Sequence, residues 1–509
     1  MLTIGLTACS AGPRSPDLRQ LYERASSIPQ EMRRPIIAVP GLLGSRLVDP
    51  ASKRMVWGGE GLSLDPDRPE HASLLALPIG HGDEPLRLLR DDVRPDGFLG
   101  VAEPTPLGLP LEIDVYRGLL RTMITGGFDY RQTREAELAR QYNAGSFEFP
   151  YDWRRDIVEA AQILDEFIKR KREQVRKVRA REFGVATADI KFDIVAHSMG
   201  TQVVRYYLMY GAQDLPEDGS LPALTWEGAR NVAFVVLVAP PNAGSVSAFE
   251  NLVMGKRLGA LMPEYPPALL GTYPSAYQLM PRVRHARVRD SAGRPVKRLY
   301  DPALWVERGW GLADPDATET LRTLMPDAPD DETRRRRAIA HQARLLTRAE
   351  QFHLALDRPA TPPENLDLFL VVGGGYATPA GALVEPDGSV VIDRREEGDG
   401  VVLRASALRR QDRAAQGGAT PYRSVLLLPE EHLDIVGSEV FGDNLLYWLL
   451  EWRDLPELKL AEPRSGRLAQ TAGLLSAGES ALLARLERFE AAAEPAPHTH
   501  PRYSATESR

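Results

Sequence analysis

With 509 residues, 43% hydrophobic and 26% charged, the chain can bury a sizeable core and reads as one large globular domain with insertions, or two. Its net charge of −7, from 63 basic and 70 acidic residues mixed along the chain, gives no electrostatic case for a nucleic-acid partner. The single cysteine excludes an intramolecular disulfide.

That cysteine stands in Leu6-Thr7-Ala8-Cys9-Ser10, the form of a bacterial lipobox, in which small residues precede a cysteine that is lipidated after signal cleavage. No Lys or Arg precedes the apolar stretch Leu2 to Ala8, which is short for a signal core. The expectation is a truncated lipoprotein signal and linker over 1–30. Cys9 would be the lipid anchor of a peripherally membrane-associated protein in the cell envelope or periplasm; the alternative is a chance apolar terminus on a cytoplasmic protein. Nothing downstream is long and apolar enough to span a bilayer.

From residue 31 to about 455, strand-like and helical segments alternate. Pro35 to Val39 is a short buried strand ending in the tight loop Pro40-Gly41-Leu42-Leu43-Gly44, and Asp114 to Ile124 has helical periodicity. Phe147 to Phe149 is a second strand stopped by Pro150. A long amphipathic helix follows over about 157–183, whose wet face accounts for the basic run from Lys169 to Arg181. The run Ile190 to Ala196 is a strand, and Val232 to Val238, Leu366 to Val372 and Ser424 to Leu428 are continuous apolar strands covered on both faces. Val440 to Leu450 is a helix. Such alternation implies a mostly parallel central sheet flanked by helices. The stretches 50–112 and 243–363, rich in Pro, charge and irregular helical segments, read as cap insertions. Residues 456–509 form a C-terminal extension that lacks core-forming residues towards its end.

The segment Asp193-Ile194-Val195-Ala196-His197-Ser198-Met199-Gly200 breaks from an apolar run into a small-x-Ser-x-Gly turn and continues as a helix. That is the pattern of a nucleophile elbow, in which a sharp strand-to-helix turn lifts a serine Oγ clear of the sheet of an α/β-hydrolase fold. A serine acts as a nucleophile only with a base and an orienting carboxylate, which follow here in the order Ser, Asp/Glu, His. Among the later histidines His432 lies just past the strand Ser424 to Leu428, where the base belongs. His285 and His341, among arginines in the proposed cap, read as surface residues. Asp399, between two glycines in Glu397-Gly398-Asp399-Gly400, is the exposed turn carboxylate, with Asp393 as the alternative.

Taken together these motifs resemble the lecithin:cholesterol acyltransferase family, with its plant phospholipid:diacylglycerol acyltransferases and lysosomal phospholipase. The resemblance rests on Pro35 to Ser45 (first strand and oxyanion loop), on Pro150-Tyr151-Asp152-Trp153-Arg154 (the family's PYDWR, the most specific signal) and on Ala196 to Gly200. Ala239 to Ser245, Tyr273 to Pro281, Gly398 to Val402 and Glu431-His432-Leu433 extend it. Pro241-Asn242 departs from the family's usual tryptophan-glycine pair, and the cysteines that tie a lid loop in the secreted animal enzymes are missing. The resemblance implies an α/β-hydrolase with cap insertions that moves a fatty acyl group from a lipid ester through acyl-Ser198 to an alcohol or water. His432 would be the base, Asp399 its orienting acid, and the backbone N–H groups of Leu42 and Met199 the oxyanion donors.

Trp57 and Tyr277 are candidate substrate-contacting aromatics, although Trp57 reads more readily as an ordinary packing residue. Asp152 and Arg154 read as a structural corner that could pair, and His197 as elbow packing. Neither Gly373-Gly374-Gly375, without a following Lys-Ser/Thr, nor His498-Thr499-His500 argues for a phosphate loop or a metal, and no cofactor is expected. Competing readings are a carboxylesterase or thioesterase acting on non-membrane esters, or a catalytically silent surface binding protein.

Overall fold

The computed structural model describes residues 33–452 except 60–61, 82–83, 103–112, 129–144, 185–188, 258–262, 286 and 410–420. Cys9, the proposed signal over 1–30, the extension from 456 and the pair His498 and His500 lie outside the described residues.

Six strands build the central sheet: Ile36–Val39 (β1), Ser146–Glu148 (β2), Phe192–His197 (β3), Val232–Val238 (β4), Asp367–Gly373 (β5) and Ser424–Leu428 (β6). Their order is β6-β5-β4-β3-β1-β2 and every neighbouring pair is parallel. The apolar runs of the sequence explain this. All six positions of β3 and all seven of β4 are buried, as a sheet covered on both faces requires.

The principal covering helices are Arg117–Thr125 (α1), Ile157–Val178 (α2), Met199–Tyr210 (α3), Asp331–Asp357 (α4) and Glu439–Leu450 (α5). α2 packs along α3, and α5 packs on α1. The side chain of Asp156 caps α2 by accepting the Val158 N–H at 2.8 Å, and the carbonyl of Arg179, in the wider turn after α2, accepts the N–H of left-handed Gly184. Within α2 the basic residues occupy the exposed and half-exposed side, while Ile157, Leu164, Ile168 and Val175 face the core; Arg179, just past the helix, is instead buried and donates to the Arg33 carbonyl. Among the described residues no helix is long and apolar enough to cross a membrane.

Two features differ from the sequence expectation. The stretch read as an insertion of irregular helical segments from residue 50 does carry the helix Pro69–Leu75, but it is built on a small antiparallel sheet that starts at Ser45, with strands Ser45–Asp49, Arg54–Gly59, Leu62–Ser63 and Arg94–Phe98. Its strands are short and carry few β-branched residues, so their alternation is faint in the sequence. The second insertion is largely helical, as expected. It owns a separate aromatic core, in which Trp305 packs against Phe249, Tyr277 and Trp310. It also extends past residue 363, because the hairpin Tyr376–Val384 and Val390–Gly398 pairs with Val288–Asp290. Pro379, Gly381 and the charged run Asp393 to Glu397 hide that hairpin from a propensity reading.

The Pro150–Arg154 corner, following β2, joins these parts. Arg154 is fully buried, and its guanidinium donates to both carboxylate oxygens of Asp152 at 3.0 and 2.7 Å and to Asp91 at 2.7 Å. Its remaining terminal nitrogen donates to the carbonyls of Leu74, Leu75 and Ala76. One planar cation thus satisfies acceptors from two separate segments. Replacing it by Met strands the buried Asp152 carboxylate, the half-buried Asp91 carboxylate and a helix-end carbonyl cluster. Arg154→Met is therefore expected to lower unfolding free energy by about 3–5 kcal/mol. Urea titration measures it; a loss under about 1 kcal/mol would show that the cluster is dispensable.

Candidate active site

The β3–α3 junction is strained in the way its sequence suggested. Ser198 sits at φ 51° and ψ −125°, a conformation that a residue with a side chain adopts rarely, between the last residue of β3 and the first turn of α3. Its N–H is held by the carbonyl of Val238 at 2.9 Å, and its carbonyl by the Thr201 hydroxyl at 2.6 Å and the Thr201 N–H at 3.0 Å. Gly200 follows because the loop after β1 passes directly overhead. A Cβ there would lie 2.4 Å from the Pro40 carbonyl oxygen.

Around the serine the structure brings together residues far apart in the chain. His432 Nε2 lies 2.8 Å from Ser198 Oγ, and His432 Nδ1 lies 2.8 Å from Asp399 Oδ2. Because Nδ1 faces a carboxylate, it carries the ring proton, which leaves Nε2 to accept from the serine hydroxyl. The second oxygen of Asp399 accepts the Val401 and Val402 N–H groups at 3.0 and 2.6 Å. Asp399, read as an exposed turn carboxylate, is instead buried beneath the His432 loop; burial alone raises its carboxyl, but the His432 ring and the two amides outweigh it and hold the group below the ordinary carboxylate value. The His432 N–H donates to the Asp399 carbonyl at 3.0 Å, so the two loops are joined through backbone as well as side chain.

Asp393, the alternative acid, lies on the cap hairpin and pairs with Arg289 of the neighbouring strand Val288–Asp290; among the described residues it makes no hydrogen bond or ion pair with His432. His341, read as a surface residue, is instead buried on α4, where its neighbours in the cap core leave it little solvent, and His285 is half-buried. The side chain of Leu42 is exposed, and Met199 is buried at the start of α3. Among the described residues neither of their amides donates to a protein acceptor.

The loop Pro40–Ser45 that carries Leu42 is held from several sides. Tyr151 Oη donates to the Pro40 carbonyl at 2.9 Å, the Tyr151 N–H donates to Ser45 Oγ at 3.1 Å, and Trp153 Nε1 donates to the Ser45 carbonyl at 3.1 Å. Trp57, considered as a substrate contact, is buried edge-on against Trp153 with its Nε1 donating to the Leu43 carbonyl at 2.7 Å. Its indole therefore braces the loop from behind. Tyr277, the other aromatic considered, is fully buried in the cap core, with its hydroxyl bonded to Gly271 and Gln342. The structure does not bring it to the serine.

Sequence reasoning missed one residue of this neighbourhood, Tyr116, and took His197 for packing alone. Tyr116 Oη lies 2.8 Å from His197 Nδ1 and accepts the Gly41 N–H at 2.7 Å. Nothing in the run Asp114 to Ile124 distinguishes that tyrosine from an ordinary core aromatic.

Sheet order, elbow and loop positions define an α/β-hydrolase. A solved structure agrees: the chain described as "The crystal structure of Tle4-Tli4 complex" superposes with a TM-score of 0.51 over 82% of this chain and 99% of that chain, at 13% identity, a likeness of fold alone. Within that class, the family model of lecithin:cholesterol acyltransferase matches residues 135–357, so the resemblance read from the motifs holds over that stretch and supports a lipid acyltransferase or acyl hydrolase. The match spans the PYDWR corner and the elbow; Asp399 and His432 lie beyond it. No curated protein matches the chain.

Two measurements follow from this geometry. Gly200→Ala drives a methyl group into the Pro40 carbonyl and shifts the loop off the serine, so a loss of about 100-fold in kcat is expected, the scale of one misplaced oxyanion donor. Near wild-type turnover would mean that the loop gives way freely. Buried neutral histidines set the second. Burial, then the charge of His432, pushes His197 down to about 3, burial does the same to His341, and His353 is also held well below 6.5. Unfolding restores the ordinary value of about 6.5, so below it the unfolded chain binds protons that the folded one refuses. Stability from these groups is complete above that value and is lost as the pH falls. The urea midpoint is expected to drop between about pH 7 and about pH 5.5, and a flat or rising midpoint would contradict the buried neutral state.

Proposed function

We propose that the protein transfers a fatty acyl group from a lipid ester to an alcohol or water through an acyl-Ser198 intermediate. Ser198 Oγ attacks the ester carbonyl while its proton passes to His432 Nε2. Asp399 keeps the other ring nitrogen protonated and stabilises the imidazolium. The tetrahedral oxyanion takes the Leu42 and Met199 N–H groups, and the imidazolium returns its proton to the departing alcohol, leaving the acyl-enzyme. An incoming alcohol or water, deprotonated by His432, then takes the acyl group by the reverse of these steps.

The observation that carries this reading is the unbroken path from Ser198 Oγ through both ring nitrogens of His432 to Asp399, each link 2.8 Å. A lipid substrate rather than a small soluble ester is supported by the family match and by three exposed apolar side chains on the loops that bear these groups: Leu42, Val401 and Leu433.

Incubation with a phospholipid dispersion and a long-chain alcohol, with products identified by mass spectrometry, tests the proposal. A new ester or free fatty acid is expected from wild type, with loss of about 10⁶-fold in Ser198→Ala, the scale of removing the nucleophile in a serine hydrolase. Product formation that survives Ser198→Ala, or faster turnover of short soluble esters than of the lipid, would refute it.

A further inference from the structure

The His432 loop is fixed from two sides, and only one of them belongs to the acid residue. On the far side, His197 Nε2 lies 2.9 Å from the His432 carbonyl oxygen. A carbonyl only accepts, so His197 Nε2 carries the proton and Nδ1 is an acceptor. The partner of Nδ1 is Tyr116 Oη at 2.8 Å, which must therefore donate its hydrogen there and offers its lone pair to the Gly41 N–H at 2.7 Å. The bonds run in one direction, Gly41 N–H to Tyr116 O–H to His197, then His197 N–H to the His432 carbonyl. Every one of these groups is buried except the loop's outer edge.

We propose that Tyr116 and His197 are positioning residues, a buried relay that sets the pose of His432 and of the oxyanion loop together. This rests on the reading of Ser198, His432 and Asp399 as the reacting groups. The relay does two things that packing alone does not. By occupying the Gly41 N–H, Tyr116 leaves the next amide, that of Leu42, as the loop's donor towards the serine. By donating to the His432 carbonyl while Asp399 accepts the His432 N–H, His197 holds the backbone on both sides of the base, so the ring swings neither away from Ser198 nor out of line with Asp399. The His197 and His432 rings lie 4.9 Å apart, centre to centre. A neutral His197 at that distance does not oppose the positive charge His432 acquires when it takes the serine proton. Links of this kind strengthen one another in a dry interior, and losing one partner leaves the other unsatisfied.

The test compares full-length Tyr116→Phe, His197→Leu and His197→Gln with wild type. Tyr116→Phe keeps the ring and removes only the hydroxyl, whereas Gln at 197 restores both a donor and an acceptor. Expected are a fall in kcat of about ten-fold in Tyr116→Phe and in His197→Leu, with KM within about two-fold and recovery to within about three-fold of wild type in His197→Gln. A fluorophosphonate probe reports the same loss as slower labelling of Ser198. The low-field proton resonance of the His432–Asp399 hydrogen bond, identified by its absence from His432→Gln, is expected to shift in Tyr116→Phe. A purely structural tyrosine leaves that resonance unmoved.

Wild-type kcat in both Tyr116→Phe and His197→Leu overturns the relay, as does a lowered kcat with an unmoved resonance and no recovery in His197→Gln. If Tyr116→Phe fails to fold, judged by its thermal transition, the His197→Leu and His197→Gln pair decides alone. Wild-type protein whose Ser198 is not labelled overturns the acyl-serine reading itself, an outcome distinct from all of these.

Discussion

The turn at Ser198 is the constraint on which the rest of the structure depends. A non-glycine residue held at φ 51° costs on the order of 1–3 kcal/mol, and it persists only where its surroundings leave the chain no alternative. Here β3 is locked between β1 and β4, the Val238 carbonyl takes the Ser198 N–H, and the Pro40–Ser45 loop closes from above. Two other non-glycine residues with positive φ, Leu43 and Ala239, lie just past the C-terminal ends of β1 and β4, on either side of the elbow. Three of the six positive-φ non-glycine residues among the described residues thus lie along one edge of the sheet, where the three loops pass close to one another.

Holding that edge in place falls to groups that take no part in the proposed chemistry. Tyr151 and Trp153 grip both ends of the Pro40–Ser45 loop, Trp57 supports its middle, and Arg154 fastens the same corner to the 74–91 segment. The PYDWR pentapeptide is therefore a clamp, and its specificity as a sequence signal has a physical origin. A planar donor fork, an indole N–H and a phenol must each meet a particular buried acceptor, and few substitutions satisfy all three. The cap is tied to the same region. Gln278 accepts the Ile157 N–H and donates to Asp156, while His353 on α4 meets the Gln278 carbonyl.

Legibility in the sequence followed the locality of the signal. Five strands of the central sheet were readable because continuous apolar runs between turn residues have no other stable destination in a chain of this length, and β2 because Phe147 and Phe149 precede Pro150. β6, expected to be covered on both faces, instead exposes Val425 and Leu427 at the sheet edge. The elbow, Asp399 and His432 were readable because each stands in a short loop at a strand end and the order of the three is fixed by the fold. The small sheet from Ser45 and the hairpin over 376–398 were not, since their strands gain their stability from neighbours that the sequence does not name. The burial of His341 and the hydrogen bonding of His197 were equally hidden. A histidine on an arginine-rich helix or beside the elbow serine looks the same whether its ring is wet or dry.

By itself, then, the sequence determined the fold class, the elbow and the candidate nucleophile, acid and base, because hydrophobic periodicity and strand-end motifs are written in consecutive residues. Only the tertiary structure decided that His432 and Asp399 approach Ser198 across 234 and 201 positions of the chain, that Trp57 braces a loop while Tyr277 lies in the cap core, and that Tyr116 and His197 close a chain of hydrogen bonds behind His432. Those relations are distances between residues remote in sequence. They come into being when the sheet orders its strands and the packed core fixes which buried polar group finds which partner.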